Sequence, residues 1–191
     1  MLSLLGTPML LLLPLLFAVT SGVNINPDGM PPGVHLSGQL RGSGGIVRSA
    51  GLRINCFPPE KSLLIELTDL DAGRGDIDYR DFAGADAAAK SKPLSHVSWN
   101  TAGQKTAVSS AATGAFGYGP SFVFTIDDRD GNGAAATLLH AIGNSAGTLE
   151  WLQNGFDDPR HSLSATFAVD AEHARLVRDL VSPCLSSGQG G

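Results

Sequence analysis

The residues best suited to chemistry lie in the second half of the chain. Asp128, Asp130 and Asn132, followed by Gly133, occupy the first, third, fifth and sixth places of a calcium loop. In such a loop oxygen ligands converge on the ion and a glycine allows the sharp turn. The twelfth place should supply a bidentate carboxylate, and here it is Leu139. Calcium would therefore need an acid from another segment. The leading reading is a turn, because Asp, Asn and Gly are what a strand-to-helix turn demands in any case. Apart from this calcium, no cofactor is expected.

A second motif, Gly143-Asn-Ser145-Ala-Gly147, has the Gly-x-Ser-x-Gly form of a hydrolase nucleophile elbow, and Asp170 and His173 follow in acid-then-base order. That elbow works only on a strand-turn-helix. Here a helical segment precedes Ser145 and a strand pattern follows it, so a serine hydrolase is the alternative rather than the leading reading. The five histidines (His35, His96, His140, His161, His173) show no metal-ligand spacing. The carboxylate pairs Asp69/Asp71, Asp76/Asp78 and Asp157/Asp158 sit in polar, turn-like sequence and read as solvated faces. Arg74-Gly75-Asp76 spells an adhesion tripeptide, too short to carry specificity.

One stretch invites binding rather than catalysis. Ser109 to Pro120 is built of small residues, with Phe116 and Tyr118 set among glycines. Aromatics on an adaptable backbone, with hydroxyls from Ser109, Ser110 and Thr113, are what recognition loops use. The competing reading is a linker whose aromatics fold back into the core.

The elements that must position these residues are mostly strands. Residues alternate in and out of phase around Leu52, Ile54 and Cys56; Leu63, Ile65 and Leu67; Ile77 and Tyr79; and Val97 and Trp99. The pattern repeats at Phe122 to Ile126, at Leu149 and Trp151, and at Leu163 to Val169. About eight short strands with turn-rich joins predict an antiparallel β-sandwich or partly open barrel. Two helices interrupt it. One is short, over 134–142. The other is N-capped by Asp170, with Glu172 in its first turn and Pro183 at its end. Its apolar stripe is Ala174, Val177, Leu180 and Val181.

The start of the chain sets the compartment. Met9 to Val19 is an apolar run interrupted by Pro14, followed by Thr20-Ser21-Gly22. That is the length and ending of a secretory signal rather than of a membrane span. No Lys or Arg precedes the run, and an uncleaved N-terminal anchor is the competing reading. The expected organisation is a signal peptide over 1–21, a flexible lead-in over 22–33, one β-rich domain over 34–185 and a disordered tail over 186–191. In an oxidising compartment Cys56 and Cys184 are most simply one disulfide. It would close a loop long enough to stabilise the fold by about 4–5 kcal/mol. The chain has no Asn-x-Ser/Thr sequon and is rich in Ala and Gly, which suits a bacterial periplasmic protein. A formal charge of −5 with no Lys/Arg cluster argues against nucleic acid and anionic membranes as partners.

The order of features resembles two groups of two-cysteine periplasmic β-sandwich proteins, the type VI secretion accessory proteins and the invasion-associated locus B proteins. The matching residues are Leu52-Arg-Ile-Asn-Cys56, Leu63-Leu-Ile-Glu-Leu67, Asp78-Tyr-Arg80, Trp99, Leu163-Ser-Ala-Thr-Phe167 and Leu180 to Cys184. The resemblance implies an envelope accessory or binding protein and supplies no catalytic residues. Ser109 to Tyr118 is also similar in texture to the Ser/Gly-rich loop that periplasmic lysozyme inhibitors insert into an enzyme cleft. The combined expectation is an exported, non-catalytic module that binds another envelope protein.

Overall fold

A computed structural model describes residues 22–24, 32–83, 92–112, 114–117, 119–129, 131–156, 158 and 161–185. The expected leader and tail lie outside these residues, as do Thr113, Tyr118 and Asp130. The strands are β1 Gly22–Asn24, β2 Gly33–Gly42, β3 Val47–Phe57, β4 Ser62–Asp69, β5 Ser95–Thr101, β6 Gln104–Ser110, β7 Gly114–Phe116, β8 Phe122–Asp128, β9 Gly147–Asn154 and β10 Ser162–Val169. Two α-helices, α1 Ala134–Asn144 and α2 Ala171–Val181, complete the order.

The strands form one antiparallel sheet in the order β6-β5-β9-β10-β2-β3-β4-β8-β7. β1 shares an edge of β2 with β10, pairing at Gly33–His35 where β10 pairs at Gln39–Gly42. Of the two architectures expected, the fold is the partly open barrel, a single sheet curled into a half-barrel. Chain connectivity requires the curl. β6 and β7 are the two outermost strands, yet Ser110 and Gly114 are four residues apart. Four residues span at most about 14 Å, so the two edges must approach each other.

Helix α1 occupies the seam. It packs against β5 and β6 on one side and β4 and β8 on the other. Almost every residue facing inward there is apolar, with Leu138, Leu139 and Ile142 fully buried. Thr137, His140 and Asn144 lie on its opposite face and are exposed, so the helix is amphipathic, with its apolar face turned into the seam. The alternating residues of the strands, such as Leu52, Ile65, Phe124, Trp151 and Phe167, form the rest of the core. Helix α2 covers β2, β3 and β10 with Ala174, Val177 and Val181, and Arg175, Arg178 and Asp179 face solvent as expected. Asp170 accepts the His173 N–H at 2.8 Å, the predicted cap. The disulfide Cys56–Cys184 ties the end of α2 to β3.

Three expectations need correction. The stretch around Ile77 and Tyr79 is not a strand: Gly75 has φ +75° and Tyr79–Asp81 is a 3-10 turn whose Arg80 N–H is accepted by Asp78. Within the expected flexible lead-in, Gly22–Asn24 is paired as β1 and Gly33 opens β2. The segment Ser109 to Pro120, expected as one exposed loop, contains the end of β6 and all of β7.

Candidate functional site

The most elaborated polar cluster lies at the sheet end where β3, β4 and β8 meet the segment 70–82. Arg48 and Asp69 occupy inward positions of β3 and β4, in phase with Leu52 and Leu67. Their side chains are 1 % and 0 % exposed. Arg48 Nη1 donates to Asp69 Oδ2 at 2.6 Å and to the Asp71 carbonyl at 2.9 Å, and Nη2 pairs with Asp76. Asp69 also accepts the Asp71 N–H at 2.8 Å and the Tyr79 hydroxyl. A buried charge pair needs partners of this kind, because each ion gives up its hydration; the Arg48 Nε is the part of the guanidinium left without a hydrogen-bond partner. Asp69, read from sequence as part of a solvated face, is instead the centre of a latch that fastens segment 70–82 to the sheet.

The latch fixes an aromatic platform. Burial, and then the hydrogen bond to Asp69, push the Tyr79 phenol far above its ordinary pKa. Its ring stacks on Phe122 at 4.5 Å. Phe116 of β7 stands edge-on to Phe122 at 5.0 Å and to Tyr79 at 6.3 Å, yet remains 62 % exposed. The sheet register aligns Asp69 with Phe122 and Phe122 with Phe116. Leu70, the next residue after Asp69, is therefore at the same end, 55 % exposed. Beside Phe116 a shallow cleft of about 380 Å³ is lined by Ala72, Ile77, Tyr79 and the Asp78–Arg80 pair. The hydrogen bonds and charge of Arg80 hold the Asp78 carboxyl down to about 2, so it is ionised and already paired at neutral pH. Such a carboxylate makes a poor general base. The arrangement is suited to contact, with an aromatic anchor and a charged rim.

The other residues singled out in the sequence fall elsewhere. Asp128 is buried, and its Oδ2 accepts the N–H groups of Gly133 at 2.6 Å and Ala136 at 3.1 Å. It caps α1 in place of Gly133, which has no side chain to do so. Gly131 has φ +62°, and a Cβ there would lie 2.0 Å from the Cys184 carbonyl oxygen. The loop is thus shaped by helix capping and by contact with the disulfide end, and Asn132 is exposed. Among the described residues, no group of three or more His, Cys, Asp or Glu is placed to hold a metal.

Ser145 lies at the exposed end of α1, on a helix-to-strand connection. Both glycines of its motif have packing reasons. A Cβ on Gly143 would come 2.9 Å from Arg178 Cβ of α2, and one on Gly147 would come 2.5 Å from the Asn100 carbonyl oxygen. Asp170 and His173 belong to the α2 cap, with His173 Nδ1 at 2.7 Å from Asp170 Oδ1. Of the binding-loop residues, Ser109 Oγ bonds His96 Nδ1 at 2.8 Å on the sheet's outer face, Ser110 ends β6, and Phe116 joins the platform. Ser109 and Phe116 therefore stand on opposite edge strands.

No family model, no curated protein and no solved structure matches this chain.

Proposed function

We propose that this is an exported, non-catalytic protein-binding module of the cell envelope, acting as an accessory, immunity or inhibitor-like factor. The observation that carries the reading is Phe116, an aromatic side chain left largely in water while its base is fixed by Tyr79 and Phe122. A large apolar side chain held rigidly pays little entropy on association, which is the character of an interface anchor. Leu70, exposed at the same end of the sheet, and the Asp78–Arg80 pair add apolar surface and a polar rim. Export is supported by the apolar run Met9 to Val19 and by the disulfide, which persists in oxidising compartments.

Site-specific photo-crosslinking tests the proposal. A photoreactive phenylalanine analogue at position 116, in the expressing cell, should yield one discrete conjugate with an envelope protein. The same probe at Ser37, on the outer face of β2, should not. Excess native protein should compete the conjugate away, and the Phe116→Ala variant should not. Equal labelling from both positions would reject Phe116 as the contact. Protein of unprocessed mass recovered only from the cytoplasm would reject export.

A further inference from the structure

The two ends of the sheet are finished differently. β7 offers only three residues to an incoming strand, and short edges of this kind resist pairing. β6 offers seven, from Gln104 to Ser110. Every one of them has a partner on β5, so the ladder contains no bulge, and β6 contains no proline. Among the described residues no strand pairs with the other side of β6.

The phase of that free side follows from the hairpin. Ala102-Gly103 is a two-residue connection, with Gly103 at φ +101°. Thr101 and Gln104 are then the closing hydrogen-bonded pair, and hydrogen-bonded and non-bonded pairs alternate outward from it. Thr106 and Val108 direct their backbone groups to β5. Lys105, Ala107 and Ser109 direct theirs away, and all three are exposed. On the inner face Thr106 and Val108 are only half-buried, whereas their β5 partners Trp99 and Val97 are buried. The core row thus ends partly uncovered at this edge.

From these features we infer that the protein forms a two-fold dimer by antiparallel pairing of β6 with β6 of a second copy. The sequence of the strand is self-complementary in one register. With Ala107 opposite Ala107 of the second copy, Lys105 faces Ser109 and Thr106 faces Val108. Every outward N–H and C=O of Lys105, Ala107 and Ser109 then has a partner. The inner-face pair is β-branched against β-branched, a favourable cross-strand combination. A register centred on Lys105 sets like charges against each other, and one centred on Ser109 leaves Lys105 unpaired. Because β7 is too short to serve as a complementary edge, the contact closes on itself and does not propagate into a filament. The inference is independent of the Phe116 reading, since its variants leave β7 untouched.

The test is the solution mass of the full-length mature protein, by sedimentation equilibrium over a range of concentrations. The native protein should fit a monomer–dimer equilibrium. Ala107→Pro removes an outward donor without touching the β5 ladder, and should weaken association about tenfold or more with an unchanged circular dichroism spectrum. Should that variant fail to fold, charge exchange decides the matter. Ala107→Glu and Ala107→Lys should each be monomeric alone and should dimerise when mixed, because position 107 faces itself across the axis. A native protein that is monomeric throughout, a dimer that tolerates Ala107→Pro, or charge variants that fail to restore each other would overturn the inference. A monomer that takes an extended segment of another protein on β6 would overturn it equally.

Discussion

Replacing Arg48 by Met should destabilise the fold out of proportion to the atoms removed. The guanidinium is the cation bound to Asp69, whose side chain is fully buried. Removing one partner of a buried pair costs about 3–5 kcal/mol, since the other charge is left without compensation. The Asp71 N–H and the Tyr79 hydroxyl still reach Asp69, which places the expected loss at about 3 kcal/mol. The triple variant Arg48→Met, Asp69→Leu, Tyr79→Phe removes the buried charges and the hydroxyl of the latch together and leaves Asp76, whose side chain is 38 % exposed, to solvent. It should lie within about 1 kcal/mol of the native protein, because apolar replacement of a whole buried ionic group is often close to neutral. Urea unfolding gives both values from the transition midpoint and slope. Near-ultraviolet circular dichroism should weaken in the single variant, as segment 70–82, which carries Tyr79, loses its ties to Arg48 through Asp71 and Asp76. A loss under about 1 kcal/mol for Arg48→Met, or a triple variant whose loss equals the sum of the singles, would refute a coupled latch.

Three further outcomes follow from the same structure. The Cys56–Cys184 bond spans 128 residues, and the chain-entropy model assigns such a loop about 5 kcal/mol. Replacing both cysteines by Ser should lower the melting temperature by about 10–20 °C, and reductant should then have no added effect. Asp128→Ala should cost about 1–2 kcal/mol through the lost cap of α1; calorimetry should give the same cost with calcium and with chelator, whereas a calcium role would make it vary. The Tyr79 pKa is raised in the folded state by burial and by Asp69. Its contribution to stability is therefore complete below the unfolded phenol value of about 10 and is lost as pH rises beyond it. Ultraviolet titration of phenolate should show one tyrosine ionising only with unfolding, and Tyr79→Phe should abolish that step.

The period-two pattern made most of the sheet legible, because a half-buried strand alternates in sequence as it does in space. Strands at Leu52–Cys56, Leu63–Leu67, Phe122–Ile126 and Leu163–Val169 stand where the alternation places them. β2 was harder to read, since Gly33, Gly38 and Gly42 interrupt its pattern. The reason for one of them is spatial: a Cβ on Gly38 would meet the Phe167 ring at 2.4 Å. β6 and β7 were obscured in the same way by Ser, Ala and Gly, among which Ala107, Ser109 and Ala115 are exposed at the two edges. The latch left a signal that alternation alone contains. Arg48 is in phase with Ala50, Leu52 and Ile54, and Asp69 with Leu63, Ile65 and Leu67. Two opposite charges on the inward phase of neighbouring strands call for each other. Their pairing with Tyr79 depends on how segment 70–82 folds back, which no local pattern encodes. Phe116 was legible as a binding candidate, but not its platform, and the Ser109 side of that segment proved to belong to the other edge.

In the proposed function Phe116 is the anchor for a protein partner. Its most direct test is the affinity of the Phe116→Ala variant for the protein that position 116 crosslinks, measured by calorimetry alongside the thermal melt. An anchor of this kind is worth about 2 kcal/mol, so affinity should fall about 30-fold while the melt, for a side chain 62 % exposed, stays nearly unchanged. Undiminished affinity with an intact fold would contradict the account.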